Sequence, residues 1–200
     1  MRLSTLVLGL AVLAVPGLIV LEPWHDCGRH RAWTTISLKR GFCRGGERSG
    51  PSSLKTLASA QADFRSNDRD GNGVADFWRK DVAGLYVLRH EGTGERLKLI
   101  ELSVALADDR IPDEALALGP RTPKGGYWFR AIRHADEGDR LDPGSRFAYC
   151  CFPADYPKSG RKTFILDERN TIFMRDLGRP GGIEVFPTDE ELQAQWSKPH

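Results

Sequence analysis

What this chain lacks most is charge of one sign. Its 29 Lys and Arg face 27 Asp and Glu, for a formal net charge of +2 over 200 residues. A dedicated nucleic-acid binder carries a strongly basic face, so no nucleic-acid partner is expected. Catalytic signatures are missing too: the sequence contains no G-x-S-x-G, no G-x-x-x-x-G-K, no H-E-x-x-H and no G-x-G-x-x-G. The histidines, His25, His30, His90, His134 and His200, stand at no i,i+4 spacing to one another. Cysteine is scarce as well, and none of Cys27, Cys43, Cys150 and Cys151 forms a C-x-x-C pair. The common zinc spacings are thereby excluded. Hydrophobic residues at 40% and charged residues at 28% fit a globular chain and exclude wholesale disorder.

The N-terminus departs furthest from the rest. The 19 residues from Leu3 to Leu21 carry no charge. As a helix they span about 28 Å, close to the ~30 Å hydrocarbon core of a bilayer. Two readings compete. One is a cleaved signal peptide, with Arg2 before the apolar run and Val12-Leu13-Ala14 as the small-residue cleavage site. The other is a retained single-pass anchor over residues 1–22, favoured because Leu18-Ile19-Val20-Leu21 prolongs the apolar run beyond that site. The anchor reading makes the membrane a partner of the chain. Residues 23–51, rich in Gly and Arg and without sustained periodicity, read as a linker.

The globular part is expected over 52–198. Ser52 or Ser53 can cap a helix whose Leu54, Leu57, Ala58 and Phe64 share one face. It stops at the turn-rich SNDRDGNG. RLKLIEL reads as a strand and SVALADDR as a brief helix. From Gly126 the pattern alternates: Tyr127, Phe129 and Ala131 against Trp128, Arg130 and Ile132, then Phe147, Tyr149 and Cys151 against Ala148, Cys150 and Phe152. KTFIL and TIFMRDL flank the polar Asp167-Glu168-Arg169-Asn170, which predicts a hairpin. Three consecutive antiparallel strands over 126–176, packed on the helix near 53–65, are therefore expected. Thr188 with Glu191 three residues later predicts a capped C-terminal helix through Trp196. The class is α+β.

Some of these segments look familiar. SLKTLASAQADFRSNDRDGNGVADFWRKDVAGLY, GYWFRAI, FAYCCFPADYPKSGRKTFILDERNTIFMRDLG and FPTDEELQAQWSK resemble an uncharacterised family of exported, membrane-anchored bacterial proteins. Their helix-plus-sheet region is similar to that of type II secretion pseudopilins and type IV pilins. The resemblance implies a bacterial envelope location, an inner-membrane anchor with the globular part outside the cytoplasm, a pilin-like shape and envelope-protein partners. The leader differs from that of true pilins, since Gly17 is followed by Leu18 and no Glu follows at the pilin spacing.

Two candidate sites remain. Asp68, Asp70, Asn72 and Asp76 fall at positions 1, 3, 5 and 9 of an EF-hand-like loop, with Gly73 at position 6 and the Val74 carbonyl at 7. Position 12 is Arg79 where a bidentate acid belongs, and Asp81 is the nearest substitute. The expected cofactor is therefore none, or a weakly held structural calcium. The alternative to binding is a set of Asx turns that end the helix. The second candidate is the Cys150–Cys151 pair. As thiols with a His134 or His90 base they would make an envelope enzyme or redox protein. As small hydrophobes on opposite faces of a strand they would be inert core. The leading function is a non-enzymatic, membrane-anchored structural or interaction module.

Overall fold

The computed structural model describes residues 44–134 and 144–199. The apolar run at 3–21, its anchor and signal-peptide readings, and Cys27 and Cys43 lie outside the described residues. Among the described residues, no helix is long and apolar enough to cross a membrane.

A long helix, α1 (Arg44–Ser66), leads into three one-turn helices, α2 (Gly84–Val87), α3 (Leu102–Ala105) and α4 (Asp113–Leu116). The strands β1 (Tyr127–His134), β2 (Ala148–Pro153), β3 (Lys162–Asp167), β4 (Ile172–Asp176) and β5 (Val185–Phe186) follow, and α5 (Asp189–Gln195) closes the chain. The sheet runs β4-β3-β2-β1-β5. Strands β1 to β4 form an antiparallel meander. The α+β class expected from the sequence is present.

The period-2 alternation decides where the core lies. On one face Tyr127, Phe129, Tyr149, Cys151, Phe164 and Leu166 pack with Leu54, Leu57 and Phe64 of α1 and with the short helices. On the other, Ile132, Ala148, Cys150, Phe152 and Ile165 pack with Phe186 of β5 and Leu192 of α5. Each Leu or Phe so buried contributes roughly 1.5–3 kcal/mol. Strand β2 is central and buried along its whole length, because both of its faces are covered.

Four expectations need correction. First, α1 starts at Arg44 rather than at Ser52 or Ser53, and Pro51 lies inside it. Proline tolerates only the first helical turn on propensity alone, so the two extra turns rest on tertiary contacts. Glu47 Oε1 accepts from Arg161 N at 3.1 Å. Gly50 lies so close to β2 that a Cβ there would stand 3.1 Å from Cys151 Sγ. Second, residues 126–176 hold four antiparallel strands instead of three, since the expected hairpin adds a full partner: Lys162–Leu166 pair with Ile172–Asp176. Third, the sheet is mixed, because β5 runs parallel to β1. Fourth, RLKLIEL is no strand. Leu97 N and Leu99 N do bond back to Leu88 O and Leu85 O, but Lys98 takes φ +51° and breaks the ladder into one isolated bridge, Arg89 with Arg96. The C-terminal helix has the expected cap: Thr188 Oγ1 accepts from Glu191 N at 3.3 Å, and Glu191 Oε2 accepts from Thr188 N at 3.1 Å.

Candidate cation loop and a buried histidine–carboxylate cluster

The loop that follows α1 is built by its own side chains. Asp68 takes φ +43° and Gly73 φ +79°, a left-handed turn that glycine makes without strain. Asp68 Oδ2 accepts from Gly73 N at 2.9 Å, and Asn72 Oδ1 accepts from Val74 N at 2.7 Å. Asn72 Nδ2 donates to Asp70 Oδ2 at 2.9 Å. These bonds use Oδ2 of Asp68 and of Asp70, and Asp68 Oδ1, Asp70 Oδ1 and Asp76 Oδ1 are all buried without a hydrogen-bond partner. Burial raises the Asp70 carboxyl above its usual range, and the charges of Asp76 and Asp68 push in the same direction. Such orphaned carboxylate oxygens are what a hard cation takes as ligands.

The loop ends are anchored. Glu91 N donates to Asp70 O at 2.6 Å, and Phe77 N to Gly144 O at 3.1 Å. The Arg65 guanidinium lies 4.8 Å from the centre of the Phe77 ring, and that ring meets Phe147 edge-on at 4.9 Å. Asp81, the substitute for a twelfth-position acid, is used elsewhere: its Oδ1 accepts from Gly84 N at the start of α2 and from Trp78 Nε1. With Arg79 at position 12, the candidate ligand oxygens are those of Asp68, Asp70, Asn72, Val74 and Asp76.

The Cys150 and Cys151 thiols lie on opposite faces of β2, one in each core cluster, and neither has any solvent exposure. Burial pushes the Cys150 thiol up to about 12 and Cys151 well above its ordinary value. A nucleophilic or redox cysteine needs an accessible thiolate of lowered pKa, and these environments do the reverse. His134 lies in neither thiol's hydrogen-bonding set: its Nε2 is 3.2 Å from Phe147 O and 3.3 Å from Glu168 Oε2.

That second contact belongs to a cluster no motif announces. His134 ends β1, Asp167 ends β3, and Glu168 opens the β3–β4 turn. One ligand atom from each falls within 4.8 Å of the others, the only such set among the described residues; the acids of the loop after α1 do not converge so closely. Arg146 Nε donates to Glu168 Oε1 at 2.9 Å. Arg169 Nε donates to Asp167 Oδ2 at 2.7 Å, while its Nη1 donates to Asp189 Oδ1 at 2.7 Å. Burial would raise Glu168, but the neighbouring His134 ring and Arg146 guanidinium outweigh it and hold the carboxyl at about 2. Asp167, fully buried, is raised by burial despite Arg169. Beside the cluster a cleft of about 300 Å³ is lined by His134, Arg146, Arg169, Thr188 and Asp189. In the sequence, Asp167 and Glu168 carry only a turn signal, and His134 stands 33 residues before Asp167. Only the β1-β2-β3 register brings them together.

No curated protein matches this chain. No solved structure matches it either. Residues 45–189, from the start of α1 to the first residue of α5, match the model of a family described as "Protein of unknown function (DUF2950)". Both candidate sites and both buried cysteines fall inside that span, and the chain belongs to this DUF2950 family.

Proposed function

We propose that this chain is a non-enzymatic, membrane-tethered module of the bacterial envelope. Its helix-to-sheet corner takes a structural calcium ion, and its globular part presents surfaces to other envelope proteins. The observation that carries the reading is the trio of buried, unpartnered oxygens on Asp68, Asp70 and Asp76. The charges of Asp76 and Asp68 act on Asp70, a repulsion that a bound cation would relieve. An ion there would fix the exit of α1 against the residues that lead into α2. The missing twelfth-position acid sets the affinity in the millimolar class, which suits an extracytoplasmic site.

The tether rests on the span-length apolar run from Leu3 to Leu21. The pseudopilin-like reading draws support from one long helix laid across β2 and β3 of an antiparallel meander. The competing thiol chemistry is disfavoured by the complete burial of Cys150 and Cys151.

Calorimetry of the purified chain with calcium tests the corner. We expect heat and a rise in melting temperature at several millimolar calcium, both lost in Asp70→Ala. A flat titration, with no calcium-dependent melting shift, would reduce the loop to a turn. Fractionation and crosslinking in the native envelope test the tether. Recovery of a soluble protein whose N-terminus lies near Val15 would remove it.

A further inference from the structure

We propose that His134, Asp167 and Glu168 hold a divalent transition-metal ion of the zinc, cobalt or manganese class, reached through the cleft beside α5. The site shares no residue with the calcium loop and stands without it.

Three electron-rich atoms crowd one point. His134 Nε2 lies 3.3 Å from Glu168 Oε2 and 3.2 Å from the Phe147 carbonyl oxygen, and Asp167 brings a carboxylate oxygen within the same 4.8 Å set. Lone pairs this close need a positive centre between them. A proton on Nε2 is one such centre, but a single N–H serves one oxygen well. Aimed at Phe147 O, it leaves Glu168 Oε2 with an ion-pair contact to the ring at 3.3 Å but no hydrogen bond. A metal ion satisfies every atom at once. Ligands bonded at about 2.0–2.2 Å stand about 3.0–3.6 Å apart along the edges of an octahedral or tetrahedral shell, which matches the 3.2 and 3.3 Å contacts of His134 Nε2.

The surroundings fit that role. Arg146 Nε bonds Glu168 Oε1, and Arg169 bonds both Asp167 oxygens, its Nε donating to Oδ2 and its backbone N to Oδ1 at 3.1 Å. Metal-bound carboxylates are commonly oriented by hydrogen bonds of this kind. Glu168 Oε2 is thereby left facing the imidazole. A mixed nitrogen and oxygen donor set selects zinc-like ions over calcium, whose shell is all oxygen. The two guanidinium charges oppose the ion, so the affinity is moderate, and the cleft leaves room for water to complete the shell.

The test is a Co2+ titration of the purified full chain, with millimolar calcium present to occupy oxygen-only sites. We expect a d–d absorption saturating at one ion per chain and at least a tenfold loss of affinity in Glu168→Gln. In the wild-type chain, imidazole 15N spectra with Zn2+ should show the Nε2 resonance of one buried ring displaced and its N–H lost. That measurement needs no variant and decides the matter even where Glu168→Gln fails to fold. A His134 Nε2–H that persists in excess zinc, or Co2+ binding unchanged in a folded Glu168→Gln, would overturn the proposal and leave a proton as the positive centre.

Discussion

Gln61 grips the backbone of Trp78 at both ends. Its Oε1 accepts from Trp78 N at 3.0 Å while its Nε2 donates to the Trp78 carbonyl and to the Tyr149 hydroxyl. Gln61 is fully buried on α1, so this one amide ties the long helix, the segment just past the acidic loop and the central strand β2. Gln61→Leu keeps the volume but strands the Trp78 amide and carbonyl and the Tyr149 hydroxyl. Unmade buried hydrogen bonds cost about 1–3 kcal/mol each before relaxation, and network members do not add simply. We expect a loss of about 2–4 kcal/mol in the urea unfolding free energy. A loss below about 0.5 kcal/mol would mean that water replaces the amide.

Asp108 makes a second buried tie, and its pH dependence has a definite sign. Its Oδ2 accepts from Val82 N at 2.7 Å and Ala83 N at 2.9 Å, and its Oδ1 from Arg110 N at 2.8 Å. Burial raises the carboxyl above its ordinary value although these three N–H groups pull it down. A raised folded pKa means that the folded state binds the proton more tightly. The contribution of Asp108 to stability is then greatest below the unfolded value near 3.8 and declines as pH rises through the folded pKa. Asp108→Asn removes that titration. The stability gap between wild type and Asp108→Asn should therefore be wider at pH 4 than at pH 7. Urea midpoints at the two pH values check this, and a gap that widens with pH would show that the site holds the carboxylate charged.

How far the sequence shows this structure depends on how local each cause is. The β3–β4 hairpin is visible because Asp167–Asn170 separates two β-rich runs, and Asn170 does adopt φ +56°. The α5 cap is visible because both halves of the capping box lie within four residues. The early start of α1 is hidden, because Pro51 argues against it and the compensating partners, Arg161 and Cys151, are about a hundred residues away. The parallel addition of β5 is hidden for the same reason: two residues, Val185 and Phe186, carry no strand signal until β1 offers an edge. The acidic loop is fully legible in its spacing, whereas its three orphaned oxygens are a property of the folded chain. The His134 cluster has no sequence signal, because it is made by strand register.

The thiols give a prediction that separates core from chemistry. With no exposure and pKa values pushed up by burial, Cys150 and Cys151 should resist Ellman's reagent in the native protein at pH 8. Both should react at once in denaturant. Cys27 and Cys43 are best replaced by Ser in this assay so that the count belongs to β2 alone. Stoichiometric labelling of the native protein within minutes would restore the redox reading.

The outer edge of β4 is closed by the chain itself. Met174 N donates to Ser197 O at 2.7 Å, and Ser197 N to Met174 O at 3.0 Å. Arg175 Nη1 bonds Gln195 Oε1 at the end of α5. Since β4 is the last strand on its side of the sheet, these two backbone bonds are what cover its outward amides at Met174. An uncovered edge strand is a template for pairing with another chain. Pro at position 197 removes the Ser197 N–H and would clash with a closed bridge, yet it leaves β4 and its pairing to β3 intact. Ser197→Pro should therefore fold with little change in circular dichroism but self-associate through β4 as concentration rises. Sedimentation velocity from about 10 to 300 μM checks this. A variant that stays monomeric over that range would show that α5 and its Trp196, rather than the Ser197 bridge, guard the edge.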